Sequence, residues 1–93
     1  MENQQTKTHE LKCWTEFFEA QLKGLKPFDV RENDRDFKVG DCLIQKEWNP
    51  KTAEYTGRVL VRKIIYIMNL NDVFVLGRNL VAMSVVPDEV KDV

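Results

Sequence analysis

The sequence has few of the residues on which metal sites, disulfide frameworks and membrane segments depend. Two cysteines and one histidine occur in 93 residues, and Cys13 and Cys42 lie too far apart for a Cys-x-x-Cys metal motif. No run approaches the roughly 18 consecutive apolar residues of a membrane-spanning helix. We therefore expect no metal, no cofactor and no membrane partner, and we interpret both cysteines as reduced, buried thiols of a cytoplasmic protein.

Neither sign of charge is in excess, since 14 basic and 15 acidic side chains give a net charge of −1. This balance excludes a histone-like or polybasic nucleic-acid binder but permits a local basic patch. Hydrophobic residues make up 43% of the chain and charged residues 31%, which is typical of a globular protein. We expect one domain at residues 8–87, between a disordered polar tail at 1–7 and an acidic tail at 88–93.

The spacing of apolar residues predicts mostly short strands with one early helix. Residues 8–14 alternate with the two-residue period of a strand. Thr15 then caps a short helix, which stops at Lys23-Gly24. Further strands are predicted at 28–31, 42–48, 58–68 and 80–86. This order predicts a mainly β (α+β) fold, a small antiparallel β-barrel of five to six strands closed by the helix.

The orientation of the second strand follows from its apolar residues. Phe28 and Val30 alternate with charged residues and are predicted to face inward, which places Asp29 and Arg31 together on the opposite face.

The longest strand is predicted to follow a turn that ends at Gly57, and its alternation changes phase at 62–63. We interpret that change as a β-bulge that bends the barrel. Arg58 and Arg62 lie four residues apart and share a face of this strand. With Lys46 on the neighbouring strand they would form a basic stripe.

Charged residues are densest just after the helix. Lys26 follows the helix stop, and Asp29 and Arg31 share a strand face, so three charges can meet in one groove. The alternative is a solvated charged edge, because exposed charge pairs contribute little to stability. Arg31 either forms a bidentate contact with a phosphate or pairs with Asp29 or Asp34.

Two motifs surround these charges. They are His9-x-Leu11-Lys12-x-Trp14-x-Glu16-x-Phe18 and Gly24-x-Lys26-x-Phe28-Asp29-x-Arg31-x-Asn33-Asp34-Arg35-x-Phe37-x-Val39-Gly40-Asp41. With them the sequence resembles the small bacterial and phage ASCH-like domains of unknown function, in the PUA-like superfamily of RNA-associated barrels, over residues 8–68 and 80–86. The resemblance implies a PUA-like barrel with a positively lined cleft, between the helix and the following strand, that is suited to RNA or a modified nucleoside.

The resemblance also implies which residues serve that cleft. Lys26, Asp29 and Arg31 would line its floor, Trp14 would stand at its mouth, and Glu47 would point into it. The complete candidate set for the ligand is Lys12, Trp14, Lys26, Asp29, Arg31, Arg35 and Glu47.

Three functions fit these features, and a binding module for RNA or a modified nucleotide is favoured over an enzyme. The second is a small hydrolase or deacylase of a modified nucleoside, with Lys26 as base and Asp29 or Glu47 as partner. A similar small enzyme that deacylates acetylated cytidine has a threonine where Asp29 stands here, so its hydroxyl is missing. The third is a phage-encoded protein-interaction domain that docks through the apolar segment 73–76.

Other aromatic residues and the single histidine have structural interpretations. His9 is expected to be a packed, hydrogen-bonded histidine. Trp48 and Tyr55 flank a hairpin turn and are interpreted as its anchors, with an extended stacking surface as the alternative. Trp14 either stacks on a base or packs against the helix.

Overall fold

Five strands and one helix account for most of the residues that the computed structural model describes, 6–74 and 77–88. The elements are β1 (Thr8–Trp14), α1 (Thr15–Leu22), β2 (Phe28–Glu32), β3 (Cys42–Asn49), β4 (Glu54–Asn69) and β5 (Leu80–Pro87), with a 3-10 turn at Leu70–Asp72. The predicted class, mainly β with a short helix after the first strand, is confirmed. The proposed tails lie mostly in 1–5 and 89–93, outside the described residues.

The strands form a single sheet in the order β1-β3-β4-β5-β2. Three neighbouring pairs are antiparallel, whereas β1 and β3 are parallel. A parallel pair needs a crossover connection, which α1 and β2 supply here. No ladder joins the edge strands β1 and β2 within the described chain. The sheet is therefore a curled half-barrel, which agrees with the predicted barrel only in part.

Residues of four strands, together with Phe37 from the loop before β3, build the core on the concave face of this sheet. The buried cluster consists of Leu11, Phe37, Leu43, Ile64, Val81, Met83 and Val85. Burial of each large aliphatic side chain contributes about 1.5–3 kcal/mol. Phe18 of α1 is also fully buried.

Helix α1 begins and ends much as its sequence indicates. Trp14 rather than Thr15 is the N-cap, and no side chain caps the helix there. At the other end Gly24 has a φ of 78°, the left-handed stop that glycine adopts without steric cost. No helix among the described residues has the length and apolar character to cross a membrane.

The side chains of β2 point to the opposite faces of the sheet from those predicted. Phe28 and Val30 are 45% and 46% exposed, whereas Asp29 is 5% exposed. The inward assignment of the apolar pair was wrong because Asp29 meets two polar partners inside the fold, Arg31 of its own strand and Gln45 of β3. A buried carboxylate is tolerated when such partners satisfy its hydrogen bonds.

β4 differs from its prediction in where it begins and where it bends. It begins at Glu54, so Gly57, at a φ of 98°, lies within the strand rather than before it. The pairing of β4 with β5 shifts register within residues 64–66. The predicted bulge at 62–63 is therefore displaced toward the end of the strand.

The two arginines of β4 share a face, as predicted. Arg58 bonds to the buried Glu47, and Arg62 is the cross-strand partner of the buried Leu43, so both lie on the concave side. Lys46 alternates with these buried β3 residues and lies on the convex side. The suggested basic stripe of these three cations does not form.

A buried hydrogen bond ties the start of β1 to the residue that precedes β3. His9 Nε2 lies 2.8 Å from Asp41 Oδ2, and Asp41 also accepts hydrogen bonds from the backbone N–H groups of Lys7 and Lys38. His9 packs edge-on against Phe37 at 4.8 Å. The interpretation of His9 as a packed structural histidine is confirmed. Burial raises the pKa of Asp41, but the hydrogen bonds from His9 and the two backbone groups outweigh it and lower that pKa.

Candidate functional site

A cavity of about 390 Å³ opens where the sheet is incomplete, between β1, β2 and the first turn of α1. Its lining residues are Lys12, Cys13, Trp14, Phe17, Lys26, Asp29, Val30 and Arg31. The lining includes five of the residues expected from the sequence, namely Lys12, Trp14, Lys26, Asp29 and Arg31. Arg35 and Glu47 lie outside it.

Asp29 is the centre of a buried polar triangle on the cavity floor. Its Oδ2 accepts hydrogen bonds from Arg31 Nε at 2.8 Å and from Gln45 Nε2 at 3.1 Å. Arg31 Nη2 in turn donates to Gln45 Oε1 at 3.3 Å. Of the two carboxylates considered as partners of Arg31, Asp29 is the one that it contacts. Gln45 was missed as a site residue, although it shares the strand face of the apolar Leu43.

Lys26 reaches into the cavity rather than into solvent. Its Nζ donates to the carbonyl oxygen of Phe28 at 2.9 Å and lies 3.5 Å from Asp29 Oδ1. The ammonium group also lies over two rings, 5.7 Å from the centroid of Phe17 and 4.9 Å from that of Phe28. With 18% of its side chain exposed, this cation is partly desolvated and accessible from the cavity.

Two arginines bridge the seam that separates the edge strands. Arg31 Nη2 donates to the carbonyl oxygen of Lys12 at 2.8 Å, and Arg35 Nη1 donates to that of Glu10 at 2.9 Å. Both acceptors belong to β1, while Arg31 belongs to β2 and Arg35 to the turn that follows it. Side chains thus take the place of a strand ladder, which protects the open edge of β1 from pairing with another chain.

An aromatic pair forms part of the cavity wall. The rings of Trp14 and Phe17 are stacked, with centroids 6.4 Å apart and an angle of 18° between their planes. Both side chains are nearly half exposed. The helix turn that begins directly after β1 brings them together, so Trp14 packs against the helix and remains partly exposed.

Cys13 lines the cavity as a neutral thiol. Burial, and then the nearby charge of Asp29, raise its pKa above the ordinary thiol value. A protonated thiol is a poor nucleophile. The prediction of a buried thiol is confirmed for Cys13, whereas Cys42 is only partly buried.

Glu47 is buried but is bound to the β4 hairpin instead of facing the cavity. It is 3% exposed and accepts hydrogen bonds from Thr56 Oγ1 at 2.6 Å and from Arg58 Nε at 2.7 Å. Arg58 also pairs with Glu19 of α1. The bond from Arg58, followed by that from Thr56, lowers the pKa of Glu47 to about 2.

This lowered pKa predicts a pH-dependent contribution of Glu47 to stability. The pKa falls from 4.5 to about 2 on folding, so the ionised group favours the folded state above pH 4.5. That contribution is lost as the pH falls toward 2. We expect Glu47→Gln to flatten the fall in the free energy of unfolding across this window, measured by urea denaturation at a series of pH values. The exposed Glu54→Gln is the control, and equal slopes for wild type and Glu47→Gln would contradict the assignment.

Comparison with known proteins identifies the chain's family. The family model described as Domain of unknown function (DUF3850) matches residues 8–85. An uncharacterized 12.9 kDa protein in the GpA 3′ region of Escherichia phage P2 is 35% identical over 66 residues, which cover 71% of this chain and 59% of the phage protein. The chain thus spans less than two thirds of the length of this relative. Both matches agree with the expectation of a small phage or bacterial family without an assigned activity. The chain belongs to the DUF3850 family.

Proposed function

We propose that the cavity binds a nucleotide, either free or as part of an RNA, in the manner expected of an ASCH-like or PUA-like domain. The observation that carries this proposal is the meeting of three cations with a stacked aromatic pair around about 390 Å³ of space. Cavities of roughly 300 Å³ and more hold small organic ligands. Aromatic faces stack on bases, while lysine and arginine contact phosphates. The half-barrel sheet and the position of its helix are compatible with such a domain.

The charges of the lining residues favour an anionic ligand. Lys12, Lys26 and Arg31 oppose the single carboxylate of Asp29, which gives these residues a net charge of +2 by formal count. Asp29 is already hydrogen-bonded to Arg31 and Gln45. Lys26 and Lys12 therefore supply the accessible positive charge, while Arg31 mainly holds the cavity floor in place.

A hydrolase is the second candidate function, and one observation supports it. Lys26 Nζ and Asp29 Oδ1 lie 3.5 Å apart, a pairing from which proton transfer is possible. Glu47, the other carboxylate of that hypothesis, is engaged with Thr56 and Arg58. Since Cys13 is also a neutral thiol, the cavity is better suited to binding than to nucleophilic chemistry.

Two assays separate these candidates. Incubation with a panel of acylated nucleosides, followed by chromatography, is expected to show no product. Asp29→Asn is expected to leave nucleotide affinity unchanged or raised, because it removes a negative charge near the phosphate. Turnover that Asp29→Asn abolishes while binding persists would establish the hydrolase instead.

A protein-interaction role has weaker support. Val73 and Phe74 are exposed, but the rest of the apolar segment 73–76 lies outside the described residues. The described part of the segment, two exposed side chains, is smaller than the contiguous apolar patch that marks a docking surface.

Lys26→Ala tests nucleotide binding directly. We expect it to weaken affinity for RNA about tenfold and to reduce the slope of log K against log salt by about one, as for one lost phosphate contact. Filter binding of RNA across a salt series is the measurement. Lys26 is preferred to Arg31 because removal of Arg31 would leave Asp29 and a β1 carbonyl without their partner.

The matched control is Lys38→Ala, which removes an exposed lysine that does not line the cavity. It is expected to change affinity by less than about twofold, since exposed charges outside the site contribute little. Affinity that is absent at low salt, or that does not vary with salt, would contradict the proposed function.

A further inference from the structure

We infer that the cavity continues into a stacking platform on the convex face of the sheet, on which a single-stranded RNA lies. The inference rests on the proposed function, because the platform extends from the walls of the same cavity. Its members, here called the aromatic row, are Phe17, Trp14, Trp48 and Tyr55.

Strand pairing sets the order of the aromatic row. Trp14 is the register partner of Trp48 across β1 and β3, and Trp48 is the partner of Tyr55 across β3 and β4. The centroid of Trp14 lies 6.4 Å from that of Phe17 and 6.3 Å from that of Trp48. Adjacent strands are about 4.8 Å apart, so Tyr55, as the register partner of Trp48, extends the row by one strand. The line runs from the cavity wall across three strands.

Cations accompany the rings along this line. Lys12 Nζ lies 4.2 Å from the ring centroid of Trp48, and Lys46 Nζ lies 5.0 Å from that of Tyr55. Lys12 and Lys46 are themselves register partners, so a second row of charges runs beside the aromatic row. Glu10 lies 3.5 Å from Lys46 Nζ and offsets part of that charge. Together with Lys26 at the cavity, the lysines outnumber this carboxylate.

This arrangement fits a single strand of nucleic acid better than a duplex. Exposed ring faces stack on unpaired bases of any sequence, while neighbouring cations follow the phosphates. A duplex stacks its bases internally and presents mainly phosphates and groove edges. Trp14 and Tyr55 are 47% and 52% exposed, so about half of each side chain is accessible to a base. The row therefore accommodates successive bases beyond the nucleotide in the cavity.

The platform predicts that affinity depends on RNA length. A mononucleotide fills only the cavity, whereas an eight-nucleotide single strand also covers the aromatic row and is expected to bind at least tenfold more tightly. Each base stacked on an aromatic side chain contributes enough to change affinity by about fivefold or more. Fluorescence anisotropy with labelled single strands of one, two, four and eight nucleotides measures this dependence. A duplex of the same sequence is expected to bind less tightly than the single strand.

Tyr55→Ala is the decisive variant because Tyr55 lies farthest from the cavity along the aromatic row. We expect it to weaken binding of the eight-nucleotide strand about tenfold and to leave mononucleotide binding unchanged, while Tyr55→Phe retains tight binding. Tyr66→Ala is the matched control, since Tyr66 is an exposed tyrosine of the same strand outside the row. It is expected to change neither affinity.

The possible failures of the platform and of the cavity are distinguishable. Mononucleotide binding without any dependence on RNA length overturns the platform and leaves the proposed function intact. Equal binding of the duplex, or an unchanged eight-nucleotide affinity in a folded Tyr55→Ala, also overturns the platform. The aromatic residues would then serve only as hairpin anchors. If the protein binds neither the mononucleotide nor the eight-nucleotide strand, both proposals are overturned.

Discussion

Replacement of Asp41 with alanine is expected to lower the free energy of unfolding by about 3–4 kcal/mol. The side chain is almost fully buried. Its two oxygens accept hydrogen bonds from His9 and from the backbone N–H groups of Lys7 and Lys38. Alanine would leave all three donors without a partner in a protein interior, where each unsatisfied group costs about 1–3 kcal/mol. β1 and the loop before β3 would lose the contact that joins them.

Urea denaturation monitored by tryptophan fluorescence measures this loss. Asp34→Ala is the control, because Asp34 is exposed and its pairing with Arg35 is long at 3.9 Å; a change within about 0.5 kcal/mol is expected. The pKa of Asp41 is lowered in the folded protein, so its contribution is present at neutral pH and is lost as falling pH protonates the carboxyl. The difference in the free energy of unfolding between wild type and Asp41→Ala should therefore become smaller at acidic pH. A difference that grows in acid would contradict the assignment.

The second large effect is expected for Asp29→Ala, which should cost about 2–3 kcal/mol of stability. The substitution removes the acceptor shared by Arg31 Nε and Gln45 Nε2. Gln45 is fully buried, so its amide cannot turn to water. Arg31 is one-quarter exposed, which reduces the penalty below that of a fully buried unpaired charge.

A control on the same strand isolates the role of burial. Glu32→Ala removes a carboxylate that pairs with Arg78 at 3.2 Å in an exposed position, and it should change stability by less than about 1 kcal/mol. Equal denaturation midpoints for Asp29→Ala and Glu32→Ala would show that the polar triangle does not stabilise the fold. Asp29→Asn, which keeps one oxygen acceptor, is expected to fall between wild type and Asp29→Ala.

The protein's local elements could be predicted from short-range patterns. The alternation in β1 and the stop at Gly24 each depend on neighbouring residues, and the structure agrees with both. The predictions of where β4 starts and where it bends were less accurate, because the position of a bulge depends on how two strands pair. Lys26, Asp29 and Arg31 were expected in one groove, and the structure brings them to one cavity. The same reasoning assigned the wrong face to β2, since the strand's apolar residues were assumed to decide its orientation.

The amino-acid sequence by itself determined the mainly β class and the early helix, because these depend on residue spacing and turn chemistry over a few positions. Tertiary structure alone decided that Asp29 faces inward, that Arg35 bonds to β1, and that Glu47 binds Arg58 rather than facing the cavity. The physical reason is common to all three. A charged group is buried or held in place only where partners satisfy its hydrogen bonds. Here each of these groups has at least one partner on a different strand of the folded sheet, which no local pattern specifies.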